Sequence, residues 1–152
     1  MEIERKFLVN GDFSQHVVKV SHLVQGYLST EPEHTVRVRI SDDKGFLTIK
    51  GRSSKSGMSR YEWEREIPLC EAEQLLDLCG GRVIDKHRYH VPAGRHVYEV
   101  DVFHGRNEGL VVAEIELNSE EEEFEKPHWL GKEVTGDVNY YNSKLIQMGG
   151  NE

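Results

Sequence analysis

Charged side chains recur at every second position in one short segment after another of this chain, and that spacing restricts what it can fold into. The opening residues set the pattern, with Glu2, Glu4 and Lys6 alternating with Ile3, Arg5 and Phe7. Successive side chains of a strand point to opposite faces, so Glu2, Glu4 and Lys6 share one face while Ile3 and Phe7 take the other. Arg37 and Arg39 are set against Val36, Val38 and Ile40, and Lys50 and Thr48 against Leu47 and Ile49. Glu62, Glu64 and Glu66 oppose Trp63 and Ile67, while Lys86, Arg88 and His90 share a face. Glu99 and Asp101 oppose Val100 and Val102, and Glu114 and Glu116 oppose Ala113, Ile115 and Leu117. A single strand of this kind turns its charges to water. A whole series, with basic pairs on some strands and acidic pairs on others, fits a closed or nearly closed antiparallel barrel. Its charged faces line the interior and its apolar faces are covered from outside.

Turn signals divide the chain into eight strands: 2–9, 22–30, 35–40, 45–52, 59–68, 82–91, 96–103 and 110–118. The segment Ser41-Asp42-Asp43-Lys44-Gly45 reads as a hairpin turn with its glycine at positive φ. Three helices are expected. One covers Glu71 to Cys79 and stops at Gly80-Gly81, and a second runs from a capping box at Ser119 to Pro127. The third covers Asn139 to Met148 and is closed by Gly149-Gly150. With no linker and no repeat, residues 1–152 form one mainly β domain of α+β class, its few helices packed outside the barrel.

The net charge of −8 argues against a nucleic-acid partner, although a local basic cleft can still attract an anion. No apolar run reaches membrane-spanning length and the N-terminus is charged from residue two, so the expectation is a cytoplasmic protein with no membrane partner. Cys70 and Cys79 flank one short helix and read as free, half-buried thiols. The eight histidines read as surface or loop residues. His87 and His90 face opposite ways and make no metal pair. Arg52, Lys55 and Arg60 stand among Gly and Ser, yet no phosphate-binding P-loop pattern is present, and a basic loop at the barrel entrance is expected instead. A lumen that combines basic residues with clustered acids suits a polyanion carried with a divalent cation. Basic groups hold the phosphoryl oxygens, and acids hold the cation.

The ordered set Glu2-x-Glu4-x-Lys6, Arg37-x-Arg39, Lys50, Glu62-x-Glu64, Lys86-x-Arg88, Asp101 and Glu114-x-Glu116 resembles the CYTH superfamily, the triphosphate tunnel metalloenzymes. Gly131 to Thr135 and Tyr140 to Lys144 resemble the family's C-terminal end, and Gln25 to Leu28 its short bacterial members. The Ser53–Met58 connection departs from the pattern, outside the charged motifs, and bears on the tunnel mouth.

The resemblance implies an eight-stranded antiparallel tunnel and an inorganic triphosphatase that cuts tripolyphosphate to pyrophosphate and phosphate with Mg²⁺ or Mn²⁺. Class IV adenylyl cyclases and thiamine triphosphatases share the tunnel, and a non-catalytic polyphosphate- or nucleotide-binding module is the rival from another class. On this resemblance, Lys6, Arg37, Arg39, Lys50, Lys86 and Arg88 bind substrate. Glu2, Glu4, Glu114 and Glu116 bind metal, with Asp101 completing a second metal site. Lys86 and Arg88 stabilise the leaving group. Glu62 and Glu64 ligate metal, orient water or pair with the basic wall. A homodimer is left open.

Overall fold

The computed structural model describes residues 1–149, the last three by their backbone alone. Ten strands alternate with two helices: β1 (Glu2–Val9), β2 (Lys19–Ser29), β3 (Thr35–Ser41), β4 (Lys44–Lys50), β5 (Ser59–Arg60), β6 (Glu62–Ile67), α1 (Leu69–Leu78), β7 (Val83–Ala93), β8 (His96–Phe103), β9 (Val111–Glu116), β10 (Leu130–Glu133) and α2 (Asn142–Gly149). The strands follow one another around the sheet as β1-β9-β8-β7-β2-β3-β4-β6, all antiparallel. β5 returns to β1 through the pairs Glu2–Arg60 and Ile3–Ser59. Because only Tyr61 separates β5 from β6, the two act as one interrupted stave that closes the ring. Eight staves result, as the alternation predicts. β10 occupies the remaining length of the same β1 edge.

Each wall has an apolar outer face that must be covered. α1 lies over β2, β3 and β4, and the close approach requires glycine beneath it. A Cβ at Gly45 would stand 2.6 Å from the Ala72 methyl, and one at Gly26 2.7 Å from the Cys79 sulfur. Elsewhere Phe7, Tyr98, Val100 and Ile115 form an outer core with Trp129, against which Phe13 and Phe124 pack. A second apolar cluster lies inside the barrel. Tyr27, Ile84, Phe103 and Val112 meet Leu145 and Ile146 of α2. Burying those two aliphatic side chains contributes roughly 1.5–3 kcal/mol each. One end of the lumen is therefore stoppered by apolar packing, and the charges occupy the rest.

Several local expectations are corrected. Residues 119–127 form no helix. Their polar groups are drawn to the barrel instead: Glu122 pairs with His96 at 2.7 Å, and the Glu125 carbonyl accepts from the Tyr98 hydroxyl at 2.6 Å. A helix here would also set like charges beside one another at Glu120 and Glu123 and at Glu121 and Glu125. In the β3–β4 turn the positive φ belongs to Asp42 (55°) rather than Gly45, whose lack of a Cβ instead admits α1. The third helix begins at Asn142 after a single 3-10 turn over Val138–Tyr140, and Gly150 lies outside the described residues. β10 replaces what the alternation left unassigned. Both cysteines are free, but Cys70 is exposed and Cys79 buried. His87 stacks on His22 and touches His104 on the outer wall, away from His90. No helix among the described residues is long and apolar enough to cross a membrane.

Candidate active site

The lumen holds a cavity of about 330 Å³, at the small end for ligand pockets. Its acidic wall comes from β1 and β9, where antiparallel register sets Glu4 opposite Glu116 and Lys6 opposite Glu114. Glu99 of β8 faces Glu114 in turn. Like charges placed directly across a sheet are destabilising, so this arrangement serves something other than stability. The basic wall lies across the lumen. Arg37 and Arg39 stand on β3 and Lys50 on β4, and Arg88 reaches in from β7.

Part of the charge is internally paired. Lys50 Nζ donates to Glu2 at 3.0 Å, and Lys6 lies 3.3 Å from Glu114. Glu64 accepts from the Thr48 hydroxyl at 2.6 Å and from Arg37 at 3.5 Å. The rest is not paired. Arg39 donates to the Gln25 amide oxygen at 2.9 Å and has no ion pair among the described residues. Arg37 Nε is buried without a hydrogen-bond partner. A buried guanidinium donor without an acceptor is costly, and a bound anion would satisfy it.

Burial, reinforced by the charges of Glu114 and Glu2, pushes the Glu4 carboxyl up to about 8. Burial also works to raise Glu114, but Lys6, Arg88 and Lys86 outweigh it and hold that carboxyl at about 2. Glu62 and Glu116 are raised, by burial first and by Glu2 next. Arg39 is lowered to about 9 by burial and by its neighbours Arg37 and Arg88. Such opposed shifts within one cleft are characteristic of functional sites.

All but two of the expected site residues line this cavity: Glu2, Glu4, Lys6, Arg37, Arg39, Lys50, Glu62, Glu64, Arg88, Glu114 and Glu116 do so, whereas Lys86 and Asp101 do not. They lie beneath its floor. Lys86 is fully buried with its Nζ 2.6 Å from Asp101 and 3.0 Å from the Asn142 amide oxygen. Asp101 also takes a two-pronged contact from Arg88, at 2.8 and 3.0 Å. These cations hold Asp101 well below the usual carboxylate range, whereas burial lowers Lys86 to about 7.

The cavity also has walls beyond the expected site residues. Thr48 and Glu99 line it on the charged faces where the alternation sets them. Arg60 lines the cavity from β5, and Tyr141, Asn142 and Ser143 close over it from the start of α2. No periodicity marks those last three, because only tertiary packing brings the C-terminal segment to the barrel. The Tyr141 hydroxyl lies 3.1 Å from Ser53 Oγ, and its ring faces both Lys6 and Arg60.

Comparison with known proteins agrees with this geometry. The CYTH domain pattern matches residues 1–146. An inorganic triphosphatase of Acetivibrio thermocellus is 49% identical over 147 residues, which cover 96% of this chain and 93% of the relative. One of Nitrosomonas europaea is 38% identical over 149 residues, 95% of each. The crystal structure of the inorganic triphosphatase NE1496 superposes with a TM-score of 0.70 at 33% identity, covering 96% of this chain and 94% of that one. With the ordered charges, the eight-stave ring and these full-length matches together, the chain belongs to the CYTH domain family.

Proposed function

We propose that this protein is a metal-dependent triphosphatase that hydrolyses inorganic tripolyphosphate to pyrophosphate and phosphate within the tunnel. The observation that carries the reading is the coexistence, in one small cavity, of a buried Arg37 Nε without an acceptor and an Arg39 without a carboxylate partner among the described residues, with mutually repelling acids around Glu4. The first half asks for a polyanion, and the second for a cation. The two nearly full-length relatives named inorganic triphosphatase support the same assignment.

The donor chemistry of Glu2, Glu4, Glu114 and Glu116 suits a hard divalent ion, since they supply only carboxylate oxygens, the ligand type that Mg²⁺ and Mn²⁺ prefer. Among the described residues no three acids are gathered around one point, and Lys50 and Lys6 engage Glu2 and Glu114, so these acids would have to draw together around an ion. When bound, such an ion neutralises phosphoryl oxygens and makes water a better nucleophile. The chain's own groups do the rest. Arg37 and Arg39 grip phosphoryl oxygens in fork geometry, and Lys50 and Lys6 add point charges. Water oxygen bonds to a terminal phosphorus as the anhydride P–O bond breaks, and pyrophosphate departs with the bonding pair. Of the two β6 acids, Glu62 is the better proton acceptor, because its carboxyl is raised while Glu64 is engaged by Thr48 and Arg37. Arg88 faces the departing pyrophosphate, with Asp101 and Lys86 holding it from below as positioning residues.

The test is a comparison of kcat/KM for tripolyphosphate, ATP and thiamine triphosphate with Mg²⁺ or Mn²⁺, monitoring phosphate, pyrophosphate and cyclic AMP. The proposal expects tripolyphosphate to be the best substrate. Cyclic AMP as the main product would replace this reading with a cyclase, and tight binding without turnover would replace it with a binding module.

A further inference from the structure

The Ser53–Met58 connection folds into a clasp over the tunnel mouth, where Ser53, Gly57 and Met58 line the cavity. Ser56 Oγ donates to one carboxylate oxygen of Glu120 at 3.0 Å, and Ser54 Oγ and Ser59 Oγ donate to the other, Ser59 from closest range. The same hydroxyls stabilise the loop itself. Ser54 Oγ accepts from Ser59 N and Ser56 Oγ from Met58 N, each at 3.2 Å. Donation from Ser59 and Ser56 holds the Glu120 carboxyl below its ordinary value. Glu120 belongs to the strap that follows β9, so one exposed acid ties the end of the chain's ring-closing stave to a remote segment.

Strand alternation then transmits that tie inward. Ser59 is paired with Ile3 on the outer face, and Arg60, paired with Glu2, points into the lumen. The Arg60 guanidinium donates from Nε to the Gly51 carbonyl at 2.8 Å and from Nη2 to the Thr35 hydroxyl at 3.2 Å. A guanidinium has five N–H donors, so most remain for another acceptor. No carboxylate pairs with Arg60 among the described residues, although acids crowd the same cavity.

We propose that Arg60 is a further triphosphate-binding residue, and that Glu120 is the positioning residue that presents it through the serine clasp. The inference rests on the triphosphatase reading. Its test measures binding of inorganic tripolyphosphate by calorimetry with a chelator present, alongside KM and kcat with Mg²⁺. Loss of a charge-assisted contact predicts that Arg60→Gln weakens binding and raises KM by about tenfold with kcat changed far less. Arg60→Lys recovers part of that loss. Glu120→Ala shifts KM in the same direction by less, and the Arg60→Gln/Glu120→Ala double variant is no weaker than Arg60→Gln alone. Arg60→Gln that binds as tightly as the wild type overturns the proposal, and additive losses in the double variant overturn the clasp. Should Arg60→Gln fail to fold, Glu120→Ala and Ser59→Ala lie outside the cavity and decide the matter: wild-type KM in both rejects it. A wild-type protein that neither binds nor cleaves tripolyphosphate rejects the triphosphatase reading together with this one, whereas normal wild-type turnover with an indifferent Arg60 rejects this one alone.

Discussion

Glu4 is where the electrostatic conflict of the tunnel concentrates. Its carboxyl rises to about 8 because it is buried and because Glu114 and Glu2 stand beside it. A folded-state value above the ordinary 4.5 means that the native protein holds this proton more tightly than the unfolded chain does. The resulting stabilisation is complete below pH 4.5 and is lost as the pH rises through 8. In chelator, the wild type should therefore lose stability relative to Glu4→Gln between about pH 5 and 9, by on the order of a few kcal/mol. Thermal melts of both proteins across that range check this, and a difference independent of pH would contradict it. Residue parity made Glu4 and its companions legible in the sequence, since each pair two apart had to share a face. Parity says nothing about depth, however. Lys86 and Asp101 obey the same alternation as Arg88 and Glu99, yet they lie under the floor, locked to each other and to Asn142. Arg5 was the opposite case. It points outward, where it meets Glu133 at 2.6 and 2.8 Å and covers the Phe124 ring. It fastens β10 and the strap to β1.

Among the elements, strands were more readable than helices because charge and apolar alternation report directly on a two-sided wall. The helix expected at Ser119–Pro127 shows how that legibility fails. Its capping box and acidic first turn are genuine local signals, but partners on the barrel compete for the same groups and win. His96 takes Glu122, the loop serines take Glu120, and Tyr98 takes the Glu125 carbonyl. Gly45 was misread for a related reason, since its glycine is dictated by a helix that packs from elsewhere in the chain. That origin yields a prediction. Gly45→Ala places a methyl 2.6 Å from that of Ala72 and 3.2 Å from the Ile67 carbonyl. Overpacking of this kind should destabilise the fold by about 1–3 kcal/mol. Denaturant titration should record that loss while kcat below the melting range stays near wild type, because Gly45 lies outside the cavity. An unchanged midpoint would show that α1 can shift away at no cost.

At the scale of the whole molecule, the barrel divides its interior between two kinds of packing. Apolar side chains of Tyr27, Phe103 and Val112 meet Leu145 and Ile146 at one end, and the remaining lumen gathers charge of both signs. The ring and its closure were foreseeable from eight alternating segments, but the way it closes was not. That depends on β5 leaving β6 at Tyr61 to pair with β1, a choice set by contacts between the two ends of the sheet. The stopper of α2 was equally hidden, because nothing local in Asn142 to Ile146 says that these residues enter a barrel. From fold and charge together we propose that the tunnel holds a triphosphate against its basic wall while its acids hold a divalent ion. The most direct test follows inorganic tripolyphosphate by ³¹P NMR with the wild-type protein, with and without Mg²⁺ or Mn²⁺. The expected result is conversion to equal amounts of pyrophosphate and phosphate that stops when a chelator is added. Persistence of the tripolyphosphate signals in the presence of metal, or the same turnover in chelator, would contradict it.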